Sequence, residues 1–161
     1  MGSHDIAQIC LNGHVITSAL RRSPELAQRY CDKCGAETIS ACQECDTNIR
    51  GYYFMPGVIS VFSYEKPAFC FNCGAPFPWT SSALAVAREL VLEESELTQD
   101  EREALANTLP DLVAETPRTQ VAIIRFKKLM AKVSSATAGA MRDILVDIVS
   151  EAVKKTLFPA T

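Results

Sequence analysis

Apolar positions in the first half of the chain come in short runs. Gln8-Ile9, Val15-Ile16, Thr38-Ile39 and the longer run from Tyr52 to Tyr64 read as strands. Pro56-Gly57 is expected to interrupt the longest of them as a turn. Arg21 to Tyr30, RRSPELAQRY, predicts a short helix opened by Ser23 with Pro24 in its first turn. Beyond Thr80 the spacing changes to three and four, the period of a helix. Thr80 to Ser82 can cap a first helix carrying Leu84, Val86, Ala87, Leu90 and Val91. Thr98-Gln99-Asp100-Glu101 has the form of a capping box. Pro110 predicts a break, followed by a short helical turn near Leu112. Thr116-Pro117 opens another helix, with Val121, Ile124 and Leu129 as main core positions and Ile123 and Phe126 as secondary ones. The last helix is expected from about Ala138 to Leu157, its apolar face made by Met141, Ile144, Leu145, Ile148, Val149 and Ala152 and widened by Val146 and Val153.

The change of period near Trp79 predicts a small α+β protein. Residues 5–79 are expected to form an N-terminal domain with short hairpins, zinc-ribbon-like in that its cysteine motifs resemble that class, and residues 80–158 an all-α domain or oligomerisation region. Tyr52, Tyr53, Phe54, Phe62, Tyr64, Phe69, Phe71, Phe77 and Trp79 supply apolar bulk to a first domain with too few residues for a large core.

Cysteine placement changes this picture most. All seven cysteines lie between Cys10 and Cys73, and the final 88 residues have none. Six form Cys-x-x-Cys pairs: Cys31 with Cys34, Cys42 with Cys45, and Cys70 with Cys73. Such a pair presents two thiolates to one ion, provided that the backbone reverses after it; Gly35 and Gly74 permit the turn, and Asp46 enters the same conformation at modest cost. Cys10-Leu11-Asn12-Gly13-His14 adds a thiolate and an imidazole around an Asn-Gly turn. The eight candidate ligands are Cys10, His14, Cys31, Cys34, Cys42, Cys45, Cys70 and Cys73, two tetrahedral sets. The expected ions are two structural zincs, with iron held by thiolates the competing metal. Two pairings follow. A nested one joins Cys31, Cys34, Cys42 and Cys45, leaving Cys10, His14, Cys70 and Cys73; its inner loop, GAETISA, closes at low entropic cost. An interleaved one joins Cys10 and His14 to Cys42 and Cys45, and Cys31 and Cys34 to Cys70 and Cys73. Each gives one all-thiolate site and one three-cysteine, one-histidine site. Both would be closed sets, which disfavours hydrolysis at zinc.

Charge narrows the function classes. The net charge of -3 and pI of about 5.4 lack the broad positive field of a nonspecific nucleic-acid binder. Acid and base are segregated: Arg88 to Glu115 holds nine acidic and two basic residues, while Thr116 to Arg142 holds six basic residues and no acidic one. Opposite signs on successive helices can guide packing or subunit register. No apolar stretch reaches the length of a membrane span, and the N-terminus lacks the layout of an export signal. Met1-Gly2-Ser3 reads as a cloning remnant to which His4 can belong. A reducing, cytoplasmic location is therefore expected, where paired cysteines favour metal over disulfides.

HDIAQICLNGHVI with YCDKCGAETISACQEC, then FCFNCGAPFPWT and the later TPRTQ, resembles a small bacterial family of uncharacterised proteins with zinc-ribbon knuckles, over Asp5 to about Lys155. The resemblance implies the same eight metal positions and brings no activity, substrate or catalytic residue. The expectation is a noncatalytic zinc-binding adaptor or interaction module with a protein partner or a second copy of itself. Nucleic-acid binding through ribbon aromatics is the alternative. An enzyme, for instance one exchanging thiols, is less expected, because the cysteine pairs lack the strand-to-helix setting of a redox site.

Overall fold

The computed structural model describes residues 1–59 and 63–159. The chain divides into two compact units, Met1–Thr80 and Ser81–Thr161. Short antiparallel strands and turns build the first, and five helices among the described residues account for the regular structure that follows.

In the first unit β1 (Ser3–Ile6) pairs antiparallel with β5 (Arg50–Phe54), and β2 (Gln8–Cys10) is flanked by β3 (Val15–Thr17) and β4 (Thr38–Ile39). β1 is a strand that the hydrophobic pattern missed: Ser3 faces Phe54 and His4 faces Tyr53 in its register. Its bulge falls between His4 and Ile6, where the buried Asp5 carboxylate accepts from the backbone N–H groups of Ile6 at 2.6 Å and Arg21 at 2.8 Å. Arg22 sits 3.5 Å from the same carboxylate with its guanidinium 3.3 Å over the Phe54 ring. The predicted helix at Arg21 to Tyr30 is only a 3₁₀ turn, Pro24–Leu26, without a Ser23 side-chain cap. The long run from Tyr52 ends as a strand at Phe54, with the expected turn at Pro56-Gly57. Phe62 lies outside the described residues.

The first unit's core is small. Ala7, Ile9, Ile49, Phe77 and Trp79 cluster with Cys42 and Cys70, and Ile39, Cys45 and Tyr64 pack against them. Aromatic packing is narrower than expected. Phe77 and Trp79 are stacked at 4.7 Å and buried, whereas Tyr53 and Phe71 are exposed. Trp79 Nε1 donates to the Pro67 carbonyl, which satisfies the ring's one donor inside the core.

Five helices follow: α1 (Pro78–Glu93), α2 (Gln99–Val113), α3 (Thr119–Met130), α4 (Ser135–Leu145) and α5 (Glu151–Leu157). α1 begins at Pro78, before the anticipated cap; Thr80 is buried and its hydroxyl donates to the Ala68 carbonyl. The capping box at Thr98 and Glu101 forms in both directions. Pro110 does not break α2, which continues to Val113. Its ring removes one amide donor, but Leu109, Leu112 and Val113 are buried on either side and hold the last turn in place. α3 starts two residues after Pro117, and its core face is turned from the expected one: Ala122, Ile123 and Phe126 are buried, Leu129 is half-buried, and Val121 and Ile124 are exposed. α2 packs on α3, and α3 on α5.

The expected final helix is two helices. Ser150 ends the gap by accepting the Val153 N–H on its side chain, and Val153 rather than Ala152 enters the core. A second tether is the buried Glu94, just beyond α1, whose carboxylate accepts from the Ser134 amide at 3.2 Å, the Ser134 hydroxyl at 3.1 Å and the Glu96 amide at 3.0 Å. Ser134 in turn caps α4.

Candidate metal centres

Three Cys-x-x-Cys segments fold the same way because the same backbone bonds close them. The amide of the first cysteine donates five residues ahead, Cys31 to Ala36, Cys42 to Thr47 and Cys70 to Ala75, each at 2.8 Å. The residue after the second cysteine donates back to the first: Gly35 to Cys31, Asp46 to Cys42 and Gly74 to Cys70. That residue is left-handed in every case, with φ of 74° at Gly35, 59° at Asp46 and 76° at Gly74. Asp thus takes the conformation at the one knuckle without glycine. Short bridges, Tyr30 to Glu37, Ala41 to Asn48 and Phe69 to Pro76, seal the bases. The fourth turn uses a different closure, with the Cys10 amide donating to the His14 carbonyl and Gly13 at φ 92°.

These turns bring the eight sequence-selected side chains into two groups: Cys10, His14, Cys31 and Cys34 in one, and Cys42, Cys45, Cys70 and Cys73 in the other. Within each, the ligand atoms lie within 4.8 Å of one another. Both pairings read from the sequence are therefore incorrect: Cys31 and Cys42 lie in different groups, and Cys10 joins the nearest knuckle in sequence. The physical reason is the use made of GAETISA. Ala36 and Glu37 close the Cys31 knuckle, and Thr38 and Ile39 pair with β2, so no residues are left for a return hairpin. Pairing of Cys10 with Thr38 lays the first knuckle against the Cys10–His14 turn. The Leu11 amide, donating to the Glu37 carbonyl, reinforces the contact. The division into one all-thiolate and one three-cysteine, one-histidine set is the expected one.

Spacing within the groups fits a tetrahedral ion. A Zn–S distance of about 2.3 Å places the corners of a tetrahedron about 3.8 Å apart. The sulfurs of Cys10 and Cys34, Cys42 and Cys73, and Cys45 and Cys70 are each separated by 3.7 Å. For one nitrogen and one sulfur ligand the edge is about 3.5 Å; His14 Nδ1 stands 3.4 Å from Cys10 Sγ and 3.6 Å from Cys31 Sγ. Disulfides are excluded among these pairs, because S–S bonds are about 2 Å long. The sulfur separations serve a four-thiolate iron equally well.

Polar neighbours tune the sulfurs. The Ala36 N–H and then the Asn12 side chain lower Cys34 to about 6; the Thr47 hydroxyl and N–H and then Asn72 lower Cys45 to about 6. At Cys73 the Ala75 N–H pulls downward, but desolvation and the crowding of Cys45, Cys42 and Cys70 outweigh it and push the thiol up to about 12. Burial raises Cys10 against the pull of the His14 and Asn12 amides. Thiolates packed this closely repel one another, so a whole set does not ionise side by side without a cation. A dication removes that conflict, and its binding displaces protons.

Sequence reading missed the amides. Asn12 Nδ2 donates to Cys34 Sγ at 3.4 Å and Asn72 Nδ2 to Cys45 Sγ at 3.6 Å. Each Asn stands two residues after the first ligand of its turn and reaches the second cysteine of the opposing knuckle. The shared offset in Cys10-Leu11-Asn12 and Cys70-Phe71-Asn72 is the signal that pointed to them.

No helix among the described residues is long and apolar enough to cross a membrane. Comparison with curated proteins and with solved structures finds no match. A bacterial family described as "Uncharacterized protein conserved in bacteria (DUF2321)" matches residues 3–157, so that strand β1, both tetrads and all five helices fall within it. The chain belongs to this family.

Proposed function

We propose that the protein is a noncatalytic interaction module whose N-terminal unit, drawn at residues 5–79, is fixed by two structural zinc ions, and whose helical region, 80–158, carries the contact surface. The observation supporting it is closure: each tetrad offers four protein ligands at tetrahedral spacing. A catalytic zinc keeps a position for water or substrate, whereas four side-chain ligands fill the shell. Cys10, His14, Cys31 and Cys34 would hold one ion and Cys42, Cys45, Cys70 and Cys73 the other, each supplying rigidity to a unit whose apolar core is small. A cytoplasmic setting goes with this reading, because reduced thiols are needed for ligation.

Metal analysis combined with native mass spectrometry of the purified chain tests the scaffold. Two zincs per chain and unreactive cysteines are expected. Iron, or a knuckle that reacts freely with a thiol reagent while its ion is absent, would overturn it.

A nucleic-acid role draws support from exposed Tyr30 and Phe71, with Arg29 5.5 Å and Arg50 3.7 Å from the respective ring centroids. The acidic net charge weighs against it. Salt-sensitive binding of labelled RNA or DNA would favour this second reading; none at low salt would remove it.

A further inference from the structure

α1 and α3 expose two stripes of opposite charge, each containing large apolar side chains. On α1, Val86 is 49% exposed and Leu92 44%, among the exposed acids Glu89 and Glu93. On α3, Val121 is 48% exposed and Ile124 68%, beside the exposed Arg125 and Lys128. Helical periodicity places both stripes opposite the buried faces: Ala87 and Val91 line the core side of α1, and Ala122 and Phe126 that of α3. No ion pair involving Glu89, Glu93, Arg125 or Lys128 occurs among the described residues. Both stripes lie in the second compact unit, yet within one copy neither covers the other.

We infer that the occupant of these stripes is a second copy of this chain, with α1 of each copy laid against α3 of the other. A two-fold interface requires that every contact between patch i and patch j be repeated as j with i. A single chain carrying both members of a complementary pair, unmatched within itself, meets that requirement. The apolar residues supply the part lost from water and the acid–base match sets orientation. An anionic membrane or a polyanion would answer α3 alone and be repelled by α1. The inference rests on the reading of the helical region as a contact surface and names its partner.

Sedimentation velocity of the full zinc-loaded chain, over a range of concentration and salt, tests it. A reversible dimer weakened by salt is expected. Ile124→Glu, at an exposed site, should weaken it at least tenfold. Glu89→Lys with Glu93→Lys should make one chain monomeric, and Arg125→Glu with Lys128→Glu should do the same in another. An equimolar mixture of these two charge-swapped chains should dimerise, since each then offers the sign the other needs. Circular dichroism of each variant checks that the helices are retained. A wild-type chain that stays monomeric at every concentration, bare or with α3 on an added anionic vesicle, overturns the inference. So does a dimer indifferent to the swaps. Either failure leaves the metal scaffold intact, because that is decided separately by zinc content.

Discussion

Asn12 and Asn72 illustrate how a single side chain can act on a candidate metal centre without belonging to it. Each amide directs one N–H at a sulfur of the facing knuckle, 3.4 Å to Cys34 and 3.6 Å to Cys45. Such a bond disperses charge on the thiolate and fixes its direction, and outer partners of this kind change metal affinity by roughly 10–100-fold. Asn12→Ala and Asn72→Ala are therefore expected to release zinc faster, each from its own site, in competition with a coloured chelator. Unchanged release from both variants would show that the amides only fill space. Residue identity alone announced the eight candidate ligands, because thiolate and imidazole chemistry goes with the side chain. Their grouping was not legible. Sequence distance suggested loop cost, while the deciding factor was which backbone groups the segment between Cys34 and Cys42 had already committed.

Helix ends and interiors were unequally legible for a related reason. The Thr98 box is local, four residues long, and forms as read. Pro110 and the final helix depend on context. In α2 the missing Pro110 amide would have faced the Ala106 carbonyl, and Pro110→Ala is expected to stabilise the helix by about 1–3 kcal/mol. Urea unfolding followed by helical circular dichroism measures it; a loss of stability would show that the ring itself is needed. Glu94 joins elements that are far apart in sequence. The Thr137 side chain, then the Glu96 amide and Ser134, hold its carboxyl down at about 2 from an ordinary 4.5. A depressed folded value means that the stabilisation is present above about 4.5 and is lost as pH falls toward 2. Glu94→Gln should lower the thermal midpoint of the helical signal at neutral pH and flatten its decline across that acidic window. An unchanged profile would assign the acid sensitivity to other groups. The α3 face escaped sequence reading because both its sides carry apolar residues: Ile123 and Phe126 on one, Val121 and Ile124 on the other.

At the scale of the molecule, the two compact units have cores of different make-up. The first has a core of a few aliphatic residues, Phe77 and Trp79, interlocked with the candidate ligands Cys42 and Cys70. The second buries a longer series, including Leu105, Leu109, Leu112, Phe126, Met141 and Leu145, with no cysteine among them. Chelation should therefore abolish the near-ultraviolet signal of Trp79 and amide protection in 1–80, while protection in 81–159 persists. Simultaneous loss in both regions would show that the helices draw on the metal too. The sequence by itself determined the candidate ligand chemistry, the left-handed turn after each knuckle, the α+β class and the change of period near Trp79. These follow from side-chain type and from bonds closed within a few residues. Only long-range packing set which knuckles come together, the pairing of β1 with β5, the course of α2 through Pro110 and the buried side of α3. Each of those is a choice among locally acceptable alternatives, made by partners distant in sequence that compete for the same backbone groups and the same apolar surface.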